Sequence, residues 1–272
     1  MSRAILFRCH FLNAIIIDVF RHIQQDCPND DVILLYDATR YPIRSDSPKV
    51  FIFSEQEISQ SGYPFFNEQN LREKQISPLW YFSDYPLLFF HRQRPEYDSY
   101  WLVEYDVRFT GNWRMLFDQA PEGDLVGTHV ARYVSSRDWV WWRQKDVLGV
   151  EDRLRVKCFF PLLRFSNRAL DLVDFHRTHG MSGYCEMAVP TLLSVSGYTI
   201  RDIGGDGEFA LPAWKNCFYS PETFNDQPRQ TAERAAEWLY HPVRESTEVT
   251  QDQVLRAGEI EIECWRSGSV HA

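Results

Sequence analysis

The feature that most restricts this chain is an alternation of short, nearly unbroken apolar runs with helically spaced segments over its first hundred residues. Residues 4–11 (AILFRCHF) make one apolar run, and residues 13–25 set Ile16, Val19, Phe20 and Ile23 three or four apart. Turn chemistry at 27–31 leads to a second apolar run at 32–36, closed by Asp37, and a third follows at 50–53. Strands that read as continuous apolar runs, rather than as in–out alternation, are buried on both faces. Helices between them supply the cover. The expected fold class is α/β, with a mixed, mainly parallel central sheet and helices on both faces.

The pattern continues. Residues 78–91 are aromatic-rich and helical in spacing, with Pro86 expected to kink or divide them. Residues 100–107 are the strongest strand, in which Trp101, Leu102 and Val103 give way abruptly to Glu104-Tyr105-Asp106. A helix is expected at 112–119, strands at 124–130 and 159–165, and a helix capped by Asn167 and running to about Thr178. Beyond a loop at 180–183, residues 184–196 read as a helix interrupted or restarted near Pro190, and 198–203 as extended chain. From about residue 225 the chain turns polar, with a helical piece at 232–240 and a charged tail.

Charge narrows the function. A net charge of -9 excludes a general nucleic-acid surface, so any phosphate-bearing ligand must be met by a local cation. The six cysteines are scattered and make no CxxC spacing, as in a reduced cytoplasmic protein. Arg3, Arg8 and Asp18 interrupt the N-terminal apolar stretches, so no signal peptide or transmembrane segment is expected. A role peripheral to the inner face of a membrane stays open.

Glu104 and Asp106 are the central candidates. Two apart on a strand, they face the same side. Paired carboxylates repel unless solvent, a raised pKa or a cation relieves them. They also end an apolar strand, where open α/β sheets place their ligands. Mg²⁺ or Mn²⁺, held by one or two carboxylates and by substrate phosphates, satisfies all three conditions. Two ordinary acids on a strand end running into solvent are the competing reading. Asp37, after the second strand, can meet a base or ribose or simply start a turn. Arg8, by the first strand, can meet a phosphate or stay a surface cation; Arg108 and Arg114 can support a diphosphate or neutralise nearby acids.

The segment 100–114, YWLVEYDVRFTGNWR, resembles the metal motif of GT-A nucleotide-sugar glycosyltransferases. It is similar in particular to a poorly characterised bacterial and fungal group that shares phrases like GYCEMAVPTLL at 183–193 and LYHPV at 239–243. The resemblance covers most of residues 1–245 and implies one Rossmann-like GT-A domain, with 246–272 as a C-terminal tail. About 1–110 would bind the nucleotide and about 111–245 the acceptor. The motif's usual form is Asp-x-Asp; Glu104 stands at its first position, which makes Asp106 the firmer metal ligand. The resemblance also implies that His241 completes the shell around Mn²⁺ or Mg²⁺, and that Glu186 is the general base of an inverting transfer. A first-turn acid interacting with its helix dipole is an equal alternative for Glu186.

The implied reaction moves a sugar from a nucleotide diphosphate, with uridine diphosphate as default, to a hydroxyl acceptor such as a saccharide or lipid-linked saccharide. The rivals are a nucleotidyltransferase that makes a nucleotide sugar, though no glycine-rich basic loop stands near the N-terminus, and a non-catalytic carbohydrate- or protein-binding module. Trp139, Trp141 and Trp142 offer either a sugar-stacking platform, if extended, or a packed loop anchor. Residues 204–207 (GGDG) lack the strand and helix context of a dinucleotide fingerprint and read as a flexible loop.

Overall fold

A computed structural model describes residues 2–66, 68–143, 149–219, 239–243, 253–257 and 259–264. The strands are β1 (Arg3–Cys9), β2 (Asp31–Asp37), β3 (Ile43–Arg44), β4 (Val50–Phe53), β5 (Ser99–Glu104), β6 (Arg108–Phe109), β7 (Leu125–Arg132), β8 (Val156–Ser166), β9 (Ile200–Asp202), β10 (Phe218–Tyr219), β11 (Leu239–Tyr240), β12 (Gln253–Ala257) and β13 (Ile260–Cys264). The helices are α1 (Ala14–Asp26), α2 (Glu55–Gln60), α3 (Glu68–Glu73), α4 (Pro78–Tyr81), α5 (Tyr85–Gln93), α6 (Trp113–Gln119), α7 (Asn167–Thr178) and α8 (Cys185–Val195). Seven strands form the central sheet in the order β4-β2-β1-β5-β8-β7-β9. The first four run parallel, β8 is antiparallel to both its neighbours, and β9 runs parallel to β7.

Alternate residues of each central strand feed two separate cores. Ala4, Leu6, Ile33 and Leu35 pack with α5, α7 and α8 on one face. Ile5, Phe7, Val32, Leu34 and Tyr36 pack with α1 and α6 on the other. Both faces are covered, as the continuous apolar runs require. The sheet is the expected mixed, mainly parallel α/β arrangement.

Local chemistry sets the element ends. Asn13 caps α1 by accepting from the Ile16 amide at 2.9 Å, and Asn112 caps α6 through Met115 at 3.2 Å. The cap of α7 is Ser166, not Asn167, because the Asn167 amide group is committed to the Pro95 and Tyr97 carbonyls. Pro86 divides 78–91 into α4 and α5 and sits in the first turn of α5, where a missing N–H costs little. Pro190 does not interrupt α8. It removes the bond to the Glu186 carbonyl, but every residue from 185 to 193 is buried, and packing carries the helix through.

The piece expected to be helical at 232–240 lies outside the described residues apart from Leu239 and Tyr240, which are strand. Within 246–272, β12 and β13 form a hairpin that continues onto β3. Its Ile260, Ile262 and Cys264 turn inward with the α1 core, while Glu261 and Glu263 face out. No helix among the described residues is long and apolar enough to cross a membrane.

Candidate metal and acid–base site

The candidate site lies at the carboxyl ends of β1 and β5, which pair in register so that Arg8 stands directly across from Glu104. The strand reading of 100–107 needs one correction. β5 ends at Glu104, and the Val107 amide closes a turn onto the Glu104 carbonyl at 3.0 Å. The two acids therefore converge through a turn rather than through the pleat. This turn places Asp106 back beside Glu104.

The third group arrives from far along the chain. β11 pairs antiparallel with β6, setting Leu239 opposite Phe109 and Tyr240 opposite Arg108. The Val243 amide then donates to the Asp106 carbonyl at 2.8 Å. Between these fixed points His241 is held with Nε2 3.4 Å from Asp106 Oδ1. One potential ligand atom each from Glu104, Asp106 and His241 lies within 4.8 Å of the other two. Asp106 Oδ1 and His241 Nδ1 are buried and make no hydrogen bond.

The electrostatics follow from partial burial. The Glu104 carboxyl is raised above its usual pKa chiefly by desolvation; Arg8 opposes the rise and Asp106 adds to it. Burial disfavours the His241 imidazolium, but the Asp106 carboxylate beside it, with Glu104 and Glu186, outweighs burial and raises its pKa. Arg8 is a neutralising strut. It reaches Glu104 at 3.3 Å and donates to the carbonyls of Leu79 at 2.7 Å and Ser83 at 3.3 Å, tying β1 to the α4–α5 connection.

Glu186 stands in the first turn of α8, yet it does not serve its own helix. Pairing between β5 and β8 ends at Leu162, which leaves the Phe160 amide free to donate to Glu186 Oε1 at 3.0 Å. The carboxyl is 7% exposed, and its pKa is pushed up to about 7, first by burial and then by the Glu104 charge. The Phe160 amide, the Tyr184 hydroxyl and Lys157 hold it from rising further. Such a group exchanges a proton near neutrality. The start of α8 is pinned from behind. Arg177 and Asp84 form a fully buried pair at 2.6 Å, and Arg177 also donates to the carbonyls of Met181 and Gly183.

The other sequence candidates scatter. Asp37 ends β2 on the same sheet edge and accepts from the Thr39 amide at 2.9 Å, closing a turn. Arg114 pairs with Asp118 one helical turn on, and Arg108 donates to the Tyr105 and Val107 carbonyls. Trp139 precedes a short 3₁₀ turn, Val140–Arg143, so the extended reading of the tryptophans does not hold. Trp142 is the buried anchor, donating to the Ser136 carbonyl at 2.7 Å, whereas Trp139 and Trp141 pack on Tyr184. Residues 204–207 are organised by Asp202, whose carboxylate accepts from the amides of Val130, Gly204 and Gly205. A side chain at position 205 would meet that carboxylate at 2.5 Å.

No family model matches the chain, and no curated protein does. Among solved structures it is similar to the galactosyltransferase LgtC in complex with donor and acceptor sugar analogues, at 11% identity and a TM-score of 0.43, over 80% of this chain and 76% of that one. It is also similar to the bifunctional glycosyltransferase WbbM, at 10% identity and a TM-score of 0.45, over 90% of this chain and 46% of that one. Mouse xyloside xylosyltransferase 1 aligns at 8% identity and a TM-score of 0.42, over 92% of this chain and 98% of that one. At that degree of likeness the chemistry of this chain rests on its own residues.

Two residues and one pairing were missed in the sequence. Tyr184 reaches the Glu186 carboxyl, and its only sequence signal was adjacency. His10 follows β1 at its carboxyl end and packs edge-on to Tyr105 with ring centroids 5.1 Å apart; that position was the signal. The pairing of Arg8 with Glu104 depends on strand register and had no sequence signal.

Proposed function

We propose that this chain is a metal-dependent glycosyltransferase of GT-A type. The observation that carries the reading is the convergence of Glu104, Asp106 and His241 at one sheet edge, within electrostatic reach of a buried Glu186 that ionises near pH 7. Two carboxylates and an imidazole suit Mn²⁺ or Mg²⁺, and the buried His241 Nδ1, which makes no hydrogen bond, is free to serve as a ligand atom. A divalent ion there supplies charge stabilisation for a departing nucleoside diphosphate.

The chain's own residues then divide the work. Asp106 and His241 orient the donor's diphosphate, and Arg8 balances the charge of Glu104. Asp37 faces the nucleotide from the neighbouring strand. Glu186 takes the proton from the acceptor hydroxyl as that oxygen attacks the anomeric carbon, and the displacement inverts the centre. Residues 1–110 serve the nucleotide and 111–245 the acceptor. A cytoplasmic site of action, peripheral to the membrane, and uridine diphosphate as the nucleotide belong to the same proposal.

The test is a thermal-shift panel of nucleoside diphosphates and nucleotide sugars, each with and without Mn²⁺. Binding to the folded state raises the melting temperature by mass action. At least one nucleotide should stabilise the protein only when Mn²⁺ is present. A panel in which none does would overturn the reading.

A further inference from the structure

Five aromatic rings form one cluster around Tyr184, two residues before Glu186, and they come from three separate segments. Trp80 and Tyr81 lie on α4, Trp139 and Trp141 in the segment around the 3₁₀ turn, and Tyr184 at the start of α8. Tyr184 is the hub. Trp80 stacks on it at 5.5 Å with planes 29° apart, Trp141 lies at 4.8 Å and 31°, and Tyr81 and Trp139 lie at 5.2 and 6.1 Å. Trp80 also meets Trp141 at 5.5 Å.

Exposure separates the members. Tyr81 and Tyr184 are buried and Trp139 and Trp141 half-buried, whereas Trp80 is 46% exposed. Trp80 is thus the most open ring of the cluster and is backed by the other rings. Polar groups meet the same stack. Lys157 holds its ammonium 5.2 Å from the Trp139 ring centroid and interacts with Glu186, and the Tyr184 hydroxyl bonds to Glu186. Arg8, paired to Glu104, donates to the carbonyl of Leu79, the residue just before Trp80. The exposed indole is therefore fixed by its own backbone to the acidic site.

A single open indole backed by Tyr184 and Trp141, with the Lys157 ammonium over the neighbouring Trp139 and Glu186 two residues beyond Tyr184, suits one pyranose with its C–H face on the indole. An acyl chain or a peptide helix needs a longer apolar track than one indole. We infer that Trp80, backed by Tyr184 and Trp141, is the stacking subsite for a saccharide acceptor whose nucleophilic hydroxyl reaches Glu186. The inference rests on the glycosyl-transfer reading and names its acceptor class.

The test separates the two. Saturation-transfer NMR on the full chain, without metal or nucleotide, would use as probes the methyl glycosides of the common hexoses and pentoses, decyl phosphate and a serine-containing tetrapeptide. At least one methyl glycoside should receive saturation, concentrated on its ring C–H protons. Trp80→Ala should weaken that binding roughly tenfold and Trp80→Phe by less, as expected when a stacking surface is lost or shrunk. Because Trp80 is half exposed, both variants should keep the parent's far-ultraviolet circular dichroism and the Mn²⁺-dependent nucleotide shift. Glycosides that transfer no saturation, equal affinity in folded Trp80→Ala, or selective binding of decyl phosphate or the peptide would each overturn the subsite. Glycoside binding lost in Trp80→Ala, with no nucleotide shift in the unmodified chain, would leave the subsite standing and remove the transferase.

Discussion

Two aspartates at the edges of the same sheet differ in how their oxygens are used. Asp202, fully buried at the end of β9, takes backbone amides from Val130, Gly204 and Gly205. Asp106, in the turn after β5, keeps Oδ1 buried with no hydrogen bond and shares its surroundings with Glu104 and His241. A carboxylate saturated by amides has been spent on shaping a loop. One whose buried oxygen meets only the His241 imidazole, at 3.4 Å, carries a desolvation cost that a ligand can repay. The difference separates structural acids from site acids without reference to any other protein.

That comparison breaks if both aspartates respond alike. Asp106→Ala should lower turnover on the order of 10³-fold, since several kcal/mol of charge stabilisation goes with the cation. Calorimetry should show Mn²⁺-dependent nucleotide binding lost while urea denaturation stays within about 1 kcal/mol of the parent, as for a side chain outside the core. Asp202→Ala should do the reverse. Three buried amides lose their acceptor, so denaturation should register a loss of about 2–4 kcal/mol. Nucleotide affinity should hold if measured where the variant is folded.

Glu186→Gln sharpens the contrast at a third acid. Turnover should fall about 10²–10³-fold with nucleotide binding intact, the signature of a lost base. Its stability has a defined pH dependence. The folded-state pKa of about 7 lies above the ordinary unfolded value, so the protonated carboxyl's contribution is complete below about 4.3 and is lost as pH rises through about 7. The glutamine variant lacks that slope. At pH 8 it should therefore be about 3–4 kcal/mol more resistant to unfolding than the parent, and at pH 4 it should hold no such advantage. The smallest expected effect is a control away from the site: Asn13→Ala removes the α1 cap and should cost about 1 kcal/mol in urea titration with kinetics unchanged.

Much of the sheet could be read from the chain because burial on both faces writes itself as unbroken apolar runs. β1, β2 and β4 were legible that way, and the 3.6-residue spacing of Ile16, Phe20 and Ile23 marked α1. The course of α8 through Pro190 was not legible, because complete burial overrode the local penalty. In 253–264 the in–out alternation of Ile260, Ile262 and Cys264 was present in the sequence, but its charged partners made the stretch look like a tail. At the candidate site, the residue types near Glu104 were conspicuous. The turn that brings Asp106 back, the register that sets Arg8 against Glu104, and the amide that Phe160 offers Glu186 all depend on tertiary pairings that no local pattern encodes.

The β6–β11 pairing has a consequence for how such a molecule comes into being. All seven strands of the central sheet are complete by Asp202, so all of them are synthesised before His241. Until Leu239 and Tyr240 zip onto Phe109 and Arg108, Glu104 and Asp106 stand without the His241 imidazole. On the proposed reading, completion of the Glu104, Asp106 and His241 cluster is then timed by translation itself.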